Sequence, residues 1–356
     1  MDFALNEIQT EIRELARGIF SDFASPDKLD VVEQQAHRFD QNLWSAVREA
    51  GLAHVSLPEA FGGIGLGFFE ACLVFEQVGA FTAPVPLVPH ALALMAIAQF
   101  APEVLATEDS SADTWFTTSG GVAGNTLALD SQGRVSGSLS GVPYASGAKA
   151  LVAPSADGQA LLLIDLSQPG IAFHDQVSTA YEPQAHCIFE NVETTLLGYA
   201  EAVTWLTLRE RVAMSAAQLG VTATAMELAR AHVCEREQFG VKIGSFQAVS
   251  HRLADCWIDL MNLTTTVLSA ASRLDVDVSM ETQLEVYTAQ SWASQASHRI
   301  LASAQHVCGG LGHDKDYPMW RFAVWSRHYE MMMGGNELAL EHLGALIAAE
   351  PERAML

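Results

Sequence analysis

Residues Val212 to Met226 run for fifteen positions without a charged side chain, and apolar or small residues fall on every side of a helical wheel. A helix of that kind is stable in water only when covered all round, so the chain must bury it in a large core or an oligomer interface. The stretch is short and interspersed with Ser215, Gln218, Thr222 and Thr224, which sets it apart from a membrane span. It belongs to a helix expected from about Ala202 to Cys234, with Arg209-Glu210-Arg211 entering its buried part.

The rest of the chain has the means to supply that cover. Its 356 residues suffice for two or three packed subdomains, with 49% apolar and only 17% charged residues. Helical spacing of Phe3, Ile8, Ile12, Leu15, Ile19 and Phe20 predicts a first helix ended by Pro26. A second amphipathic stretch spans about Gln41 to Ala53, and Pro58–Gly67 is a glycine-rich turn before a helical pattern through Phe75. That turn lacks a preceding strand and the G-x-G-x-x-G spacing, which argues against a dinucleotide fold there. From about Asp113 to Leu197 short stretches (Thr114–Thr118, Thr126–Leu129, Leu161–Ile164) alternate with Gly, Ser and Asp clusters, the pattern of small antiparallel strands in a sandwich or barrel. Beyond that the pattern is helical again, with few breakers before Gly309-Gly310. The expected division is 1–110 helical, 111–198 β and 199–356 a helical bundle.

Charge and cysteines exclude several classes. A net charge of −23 argues against nucleic acid as a partner. Cys72, Cys187, Cys234, Cys256 and Cys308 show no paired spacing, so neither a zinc knuckle nor a disulfide framework is expected, and no metal site is. No basic patch followed by an apolar run opens the chain and no apolar run is long enough to span a bilayer, so a cytoplasmic location is the expectation. An anionic ligand would be met by local arginines. Arg209, Arg211, Arg230, Arg236, Lys242 and Arg252 cluster, whereas residues 111–200 hold only Arg134 and Lys149.

Two segments carry a specific pattern. One is Arg236-Glu-Gln-Phe-Gly-Val-Lys-Ile-Gly-Ser-Phe-Gln-Ala-Val-Ser-His-Arg-Leu-Ala-Asp255. The other is Gln305-His-Val-Cys-Gly-Gly-Leu-Gly312, continuing through Tyr317-Pro318 to Gly334-Gly-Asn-Glu337. Together they resemble the C-terminal helical domain of the acyl-CoA dehydrogenases, and Pro58–Gly67 with the following helix is similar to that family's N-terminal domain. The resemblance covers nearly the whole chain. It implies a mainly α fold with a β middle domain: an N-terminal helical domain, a β-sandwich or barrel, and a C-terminal four-helix bundle. It also implies FAD as cofactor, an acyl-CoA substrate and electron-transfer flavoprotein as acceptor. In the family these motifs serve the FAD of the neighbouring subunit, which implicates Arg236, Phe239, Gly240, Gln247, Gln305, Gly309 and Gly310. An arginine fork suits a pyrophosphate, and glycines let backbone approach a cofactor closely.

The chain departs from the family where the chemistry lies. Abstraction of an α-proton needs a carboxylate, which most members place just before the glycine of the last motif; here that position is Met333. Glu330 and Glu337 are three and four residues away. Some members carry the base on the buried helix, at the position of Glu210, which stands between two arginines and near the expected helix start. The family's flavin-facing loops resemble E-P-x-A-G-S-D and W-I-T-N, whereas this chain has Thr114-Trp-Phe-Thr-Thr-Ser-Gly120 and Gly141-Val-Pro-Tyr-Ala-Ser-Gly147. Tyr144 could replace an aromatic wall there and Ser146 a donor.

Two readings follow. In the first, the chain is the diverged subunit of a heteromeric acyl-CoA dehydrogenase of the kind that degrades steroid side chains and other bulky acyl-CoAs. It then completes a partner's FAD site, with a heterotetramer of two chains of each kind as the expected assembly. In the second, it is a self-sufficient homo-oligomeric dehydrogenase with Glu210 as base. A flavin monooxygenase of the same fold is a further alternative.

Overall fold

The computed structural model describes residues 4–35, 38–106, 114–119 and 124–352. Phe3, Asp113 and Gly120 lie outside the described residues. The order is helical, then β, then helical. The N-terminal helices are α1 (Glu7–Phe23), α2 (Pro26–Glu33), α3 (Gln41–Glu49), α4 (Phe68–Ala80), α5 (Leu87–Phe100) and α6 (Pro102–Leu105). Local chemistry sets their ends. Pro26 opens α2 at a position that needs no amide donor. The Asp40 carboxylate accepts the Asn42 and Leu43 amides and caps α3. The second amphipathic stretch stops at Glu49 rather than Ala53 because Gly51 takes a left-handed φ of 76°.

Among the described residues eight strands follow: β1 (Phe116–Thr118), β2 (Ala128–Leu129), β3 (Arg134–Pro143), β4 (Ala150–Pro154), β5 (Ala160–Asp165), β6 (Ile171–Val177), β7 (Pro183–Glu193) and β8 (Thr195–Tyr199). They form two sheets, ordered β1-β4-β5-β8 and β2-β3-β7-β6. Leu127, Val135, Leu139, Leu151, Leu162, Ile164, Cys187 and Phe189 make the common core, so the β region is a sandwich. That core pushes the Cys187 thiol pKa up to about 12 by desolvation. One pair departs from the antiparallel expectation, because β1 runs parallel to β4. Between them the chain passes through β2 and β3 in the other sheet, and that crossover permits parallel pairing.

The C-terminal helices are α7 (Ala200–Glu235), α8 (Gln247–Leu274), α9 (Met280–Cys308), α10 (Met319–Met332) and α11 (Gly335–Ala349). A short hairpin, β9 (Glu237–Gln238) with β10 (Val241–Lys242), joins α7 to α8. Two compact units emerge, one of residues 11–74 and 84–210, the other of residues 1–10, 75–83 and 211–356.

In the second unit α9 is central. It pairs with α8 through Arg299–Asp259 and Arg273–Glu285, with α7 through Thr222–Ser297, and with α11 through Ser291–Asn336. Gln218 of α7 bonds the Ser326 carbonyl of α10. Helices α8, α10 and α11 all pack on α9. The charge-free stretch of α7 is buried apart from the half-buried Ala223 and Thr224. Its cover includes the end of α4, against which it packs backbone to backbone. A β-carbon on Gly79 would lie 1.7 Å from the Ala217 carbonyl oxygen.

Candidate functional site

The hairpin after α7 carries the first group of candidate residues. Phe239 and Gly240 form its two-residue tip with φ of 56° and 78°, the double left-handed turn that matches strand twist. Gly240 suits such a turn and Phe239 does not, yet Phe239 is 93% exposed, its ring edge-on to Phe246 at 6.2 Å between centroids. A Lys242–Glu237 ion pair (2.8 Å) braces the hairpin. Arg236 at its base and Gln247 at the first turn of α8 are exposed.

The second group lies at the end of α9. The antiparallel register fixed by Asp259–Arg299 and Arg273–Glu285 brings Gln247 to the level of Gly309–Gly312. Gln305 donates its amide to the Gly312 carbonyl (3.2 Å) and so holds the glycine turn. Gly309 has a φ of 61°, and a β-carbon on Gly309, Gly310 or Gly240 would meet nothing within 4 Å. One end of the α8–α9 pair therefore presents an exposed arginine, an exposed aromatic ring, two amides and bare backbone. These residues fit the phosphate end of a dinucleotide such as FAD, and they offer it outward rather than into a cavity of this chain.

Met333, at the position where the resemblance leads one to expect a carboxylate, is held tightly. It is 5% exposed, Ser215 Oγ approaches its sulfur at 3.5 Å, and its carbonyl accepts from Arg211 Nη1 (3.3 Å) and Gln290 Nε2 (2.8 Å). Arg211 also bonds Gln290 Oε1 (2.6 Å) and lies 5.2 Å from the Tyr287 ring, which stacks on His342. Burial raises the Tyr287 pKa against the opposing charge of Arg211. Burial, then Arg211, lowers that of His342. Of the neighbouring carboxylates, Glu330 is engaged by Ser294 and Arg327, and Glu337 lies exposed in the first turn of α11.

Glu210 is 6% exposed, as a tuned base would be. The helix around it starts at Ala200, so Glu210 sits ten residues in and not near the helix start. At about 1.5 Å per residue the positive end of the helix is too far to matter. Arg209 stacks on Trp205 (3.8 Å) and faces Phe68 (5.6 Å), while Arg211 turns to Gln290.

In the middle region Ser146 donates to Asp175 (2.8 Å), and Tyr144 is 4% exposed with its carbonyl taken by Trp115 Nε1. Thr117 Oγ1 bonds the Pro143 carbonyl (2.5 Å). The Ser146 and Thr117 hydroxyls are thus engaged within the protein. Sequence reasoning missed the Arg211–Gln290–Met333 network. Its members are 79 and 43 residues apart, and only the oddity of arginine beside a charge-free stretch hinted at it.

Comparison with known proteins gives a consistent result. The profile described as "Acyl-CoA dehydrogenase, C-terminal domain" matches residues 200–347, and "Acyl-CoA dehydrogenase, N-terminal domain" matches residues 6–107. Acyl-CoA dehydrogenase FadE27 of Mycobacterium tuberculosis is 30% identical over 99% of this chain and 100% of its own length. The solved ChsE4-ChsE5 complex from Mycobacterium tuberculosis superposes with a TM-score of 0.90 at 30% identity, covering 98% of this chain and 99% of that one. A Tcur3481-Tcur3483 steroid ACAD variant gives a TM-score of 0.90 at 33% identity, covering 96% and 98%.

Proposed function

The chain belongs to the acyl-CoA dehydrogenase family, and from that footing we propose that it is the diverged subunit of a heteromeric FAD-dependent enzyme, completing the FAD site of a catalytic partner. The observation that carries this reading is Met333. A buried thioether locked by Ser215, Arg211 and Gln290 cannot accept an α-proton.

Each remaining feature then has a task. Arg236 provides a planar cationic fork for the partner's FAD pyrophosphate, Phe239 a ring against it, and Gln247 and Gln305 amide contacts across the glycine turn. FAD supplies the hydride acceptor for α,β-dehydrogenation of an acyl-CoA. The proton is removed by a carboxylate of the partner. The relatives named as a steroid ACAD and as a two-protein complex support a bulky, steroid-type acyl-CoA and a heterotetramer. Electron-transfer flavoprotein is the proposed acceptor.

The burial of Glu210 favours a second reading, a homo-oligomer that uses Glu210 as base. Flavin content separates the two. The chain expressed alone is expected to purify without stoichiometric FAD absorbance, and co-expression with the catalytic subunit is expected to give half-stoichiometric flavin per chain. Stoichiometric FAD with acyl-CoA-dependent bleaching in the lone chain overturns the partner-subunit reading.

A further inference from the structure

A cleft of about 390 Å³ opens between the start of α3 and one end of the β-sandwich, a size suited to a small organic ligand. Its walls include Phe39, Trp115 and Tyr144. The Phe39 ring lies 5.0 Å from Trp115 and 6.5 Å from Tyr144, centroid to centroid. Trp115 is fixed by its bond to the Tyr144 carbonyl (2.9 Å) and rests on bare backbone at Gly147, where a β-carbon would come within 3.0 Å of the indole. The aromatic walls are therefore pre-organised.

Two further observations converge on the cleft. Arg38 lines it, and Arg38 Nη1 is buried with no hydrogen-bond partner among the described residues. Arg38 is the cationic residue of the lining, and its planar guanidinium suits an anion. The carboxylate that also lines the cleft, Asp175, already accepts from Ser146. The backbone is strained here as well. Arg38, Tyr144 and Tyr181 take φ of 45°, 50° and 63°, and the Arg38 guanidinium lies 5.7 Å from the Tyr181 ring. None of these residues gains from the left-handed region, and such strain collects where a ligand is held.

We propose that this cleft binds a planar aromatic carboxylate, with the ring against Phe39 and Trp115 and the acid on Arg38. The electropositive ring edge would face Asp175. The proposal rests on the reading that this chain holds no flavin of its own, because the Gly141–Gly147 turn is where the family resemblance puts a flavin-facing loop. Asp175 is a poor neighbour for a ring that becomes anionic on reduction, whereas Arg38 in the same lining suits an acid.

Calorimetric titration of the full chain with 2-naphthoate, 2-naphthamide and riboflavin tests this. The expected result is saturable naphthoate binding, at least tenfold weaker for the neutral amide and for Arg38→Gln. Gly147→Ala, which displaces the indole, is expected to abolish binding. If Arg38→Gln fails to fold, the naphthoate-to-naphthamide ratio on the unaltered chain decides alone. Absence of saturable naphthoate binding, or equal affinity for acid and amide, overturns the proposal while flavin stoichiometry in the mixed complex still stands. Displacement of naphthoate by riboflavin overturns both, since the cleft is then a flavin bed.

Discussion

Gly220 approaches α4 so closely that a β-carbon at this position would lie 1.8 Å from the Glu76 carbonyl oxygen. Backbone cannot move away from backbone cheaply, so Gly220→Ala is expected to destabilise by about 3 kcal/mol or to prevent folding. Gly18, exposed in the middle of α1 with nothing within 4 Å, gives the opposite result. Gly18→Ala should stabilise by about 0.5–1 kcal/mol. Urea denaturation of both variants checks the pair, and a destabilised Gly18→Ala would contradict the account.

The exposed clamp leads to a different kind of prediction. Arg236 and Phe239 contribute little to the fold of the chain on its own, so Arg236→Ala and Phe239→Ala should leave its melting temperature unchanged. In the assembled enzyme each should lower FAD affinity, Arg236→Ala by roughly tenfold or more through loss of a charge-assisted contact to phosphate. Flavin retention after gel filtration of the complex measures this.

Glu210 can be tested without ambiguity in that same complex. Glu210→Gln should leave acyl-CoA-dependent flavin reduction unchanged, because the proposed base belongs to the partner. Loss of reduction by 10²-fold or more, with FAD content intact, would instead assign the base to Glu210.

His90 predicts an acid sensitivity. It is 3% exposed on α5, and its Nδ1 accepts the Phe116 amide at the start of β1 (3.1 Å). Desolvation, then the charges of His54 and Arg48, hold its pKa well below 6.5. The folded state therefore keeps it neutral while the unfolded chain takes up a proton below pH 6.5. Stability is complete above that value and falls as pH drops through it, by up to about 1.4 kcal/mol per pH unit. Urea midpoints at pH 7.5, 6.0 and 5.0 should fall more steeply for the native chain than for His90→Gln, which still offers an oxygen to Phe116. Parallel slopes would remove His90 as the source.

The parts legible in the sequence are those set by near neighbours in the chain. The Val212–Met226 stretch announced its own burial, Pro26 ended α1, and the hairpin and α9 turn lie within single motifs. Pairings between distant segments were not legible. Nothing in Phe116–Thr118 says that its partner is Ala150–Val152 in the parallel sense, because that depends on β2 and β3 going to the other sheet. The cleft was hidden for the same reason, since Arg38, Trp115, Tyr144 and Asp175 come from four separate segments. The helix start was legible to within two residues, about Ala202 expected and Ala200 observed, and from either one Glu210 stands two turns or more inside α7.

The face presented by α8 has a cellular consequence. Trp257, Ile258 and Met261 are 55%, 59% and 38% exposed over two adjacent turns of the helix that Phe246 caps, beyond the hairpin that carries the bare Phe239 tip. Apolar surface of that extent is what chaperones and proteases recognise on an unassembled protein. A cell that makes this chain in excess of whatever covers the face would lose the surplus to degradation, so its abundance would follow the supply of its companion rather than its own rate of synthesis.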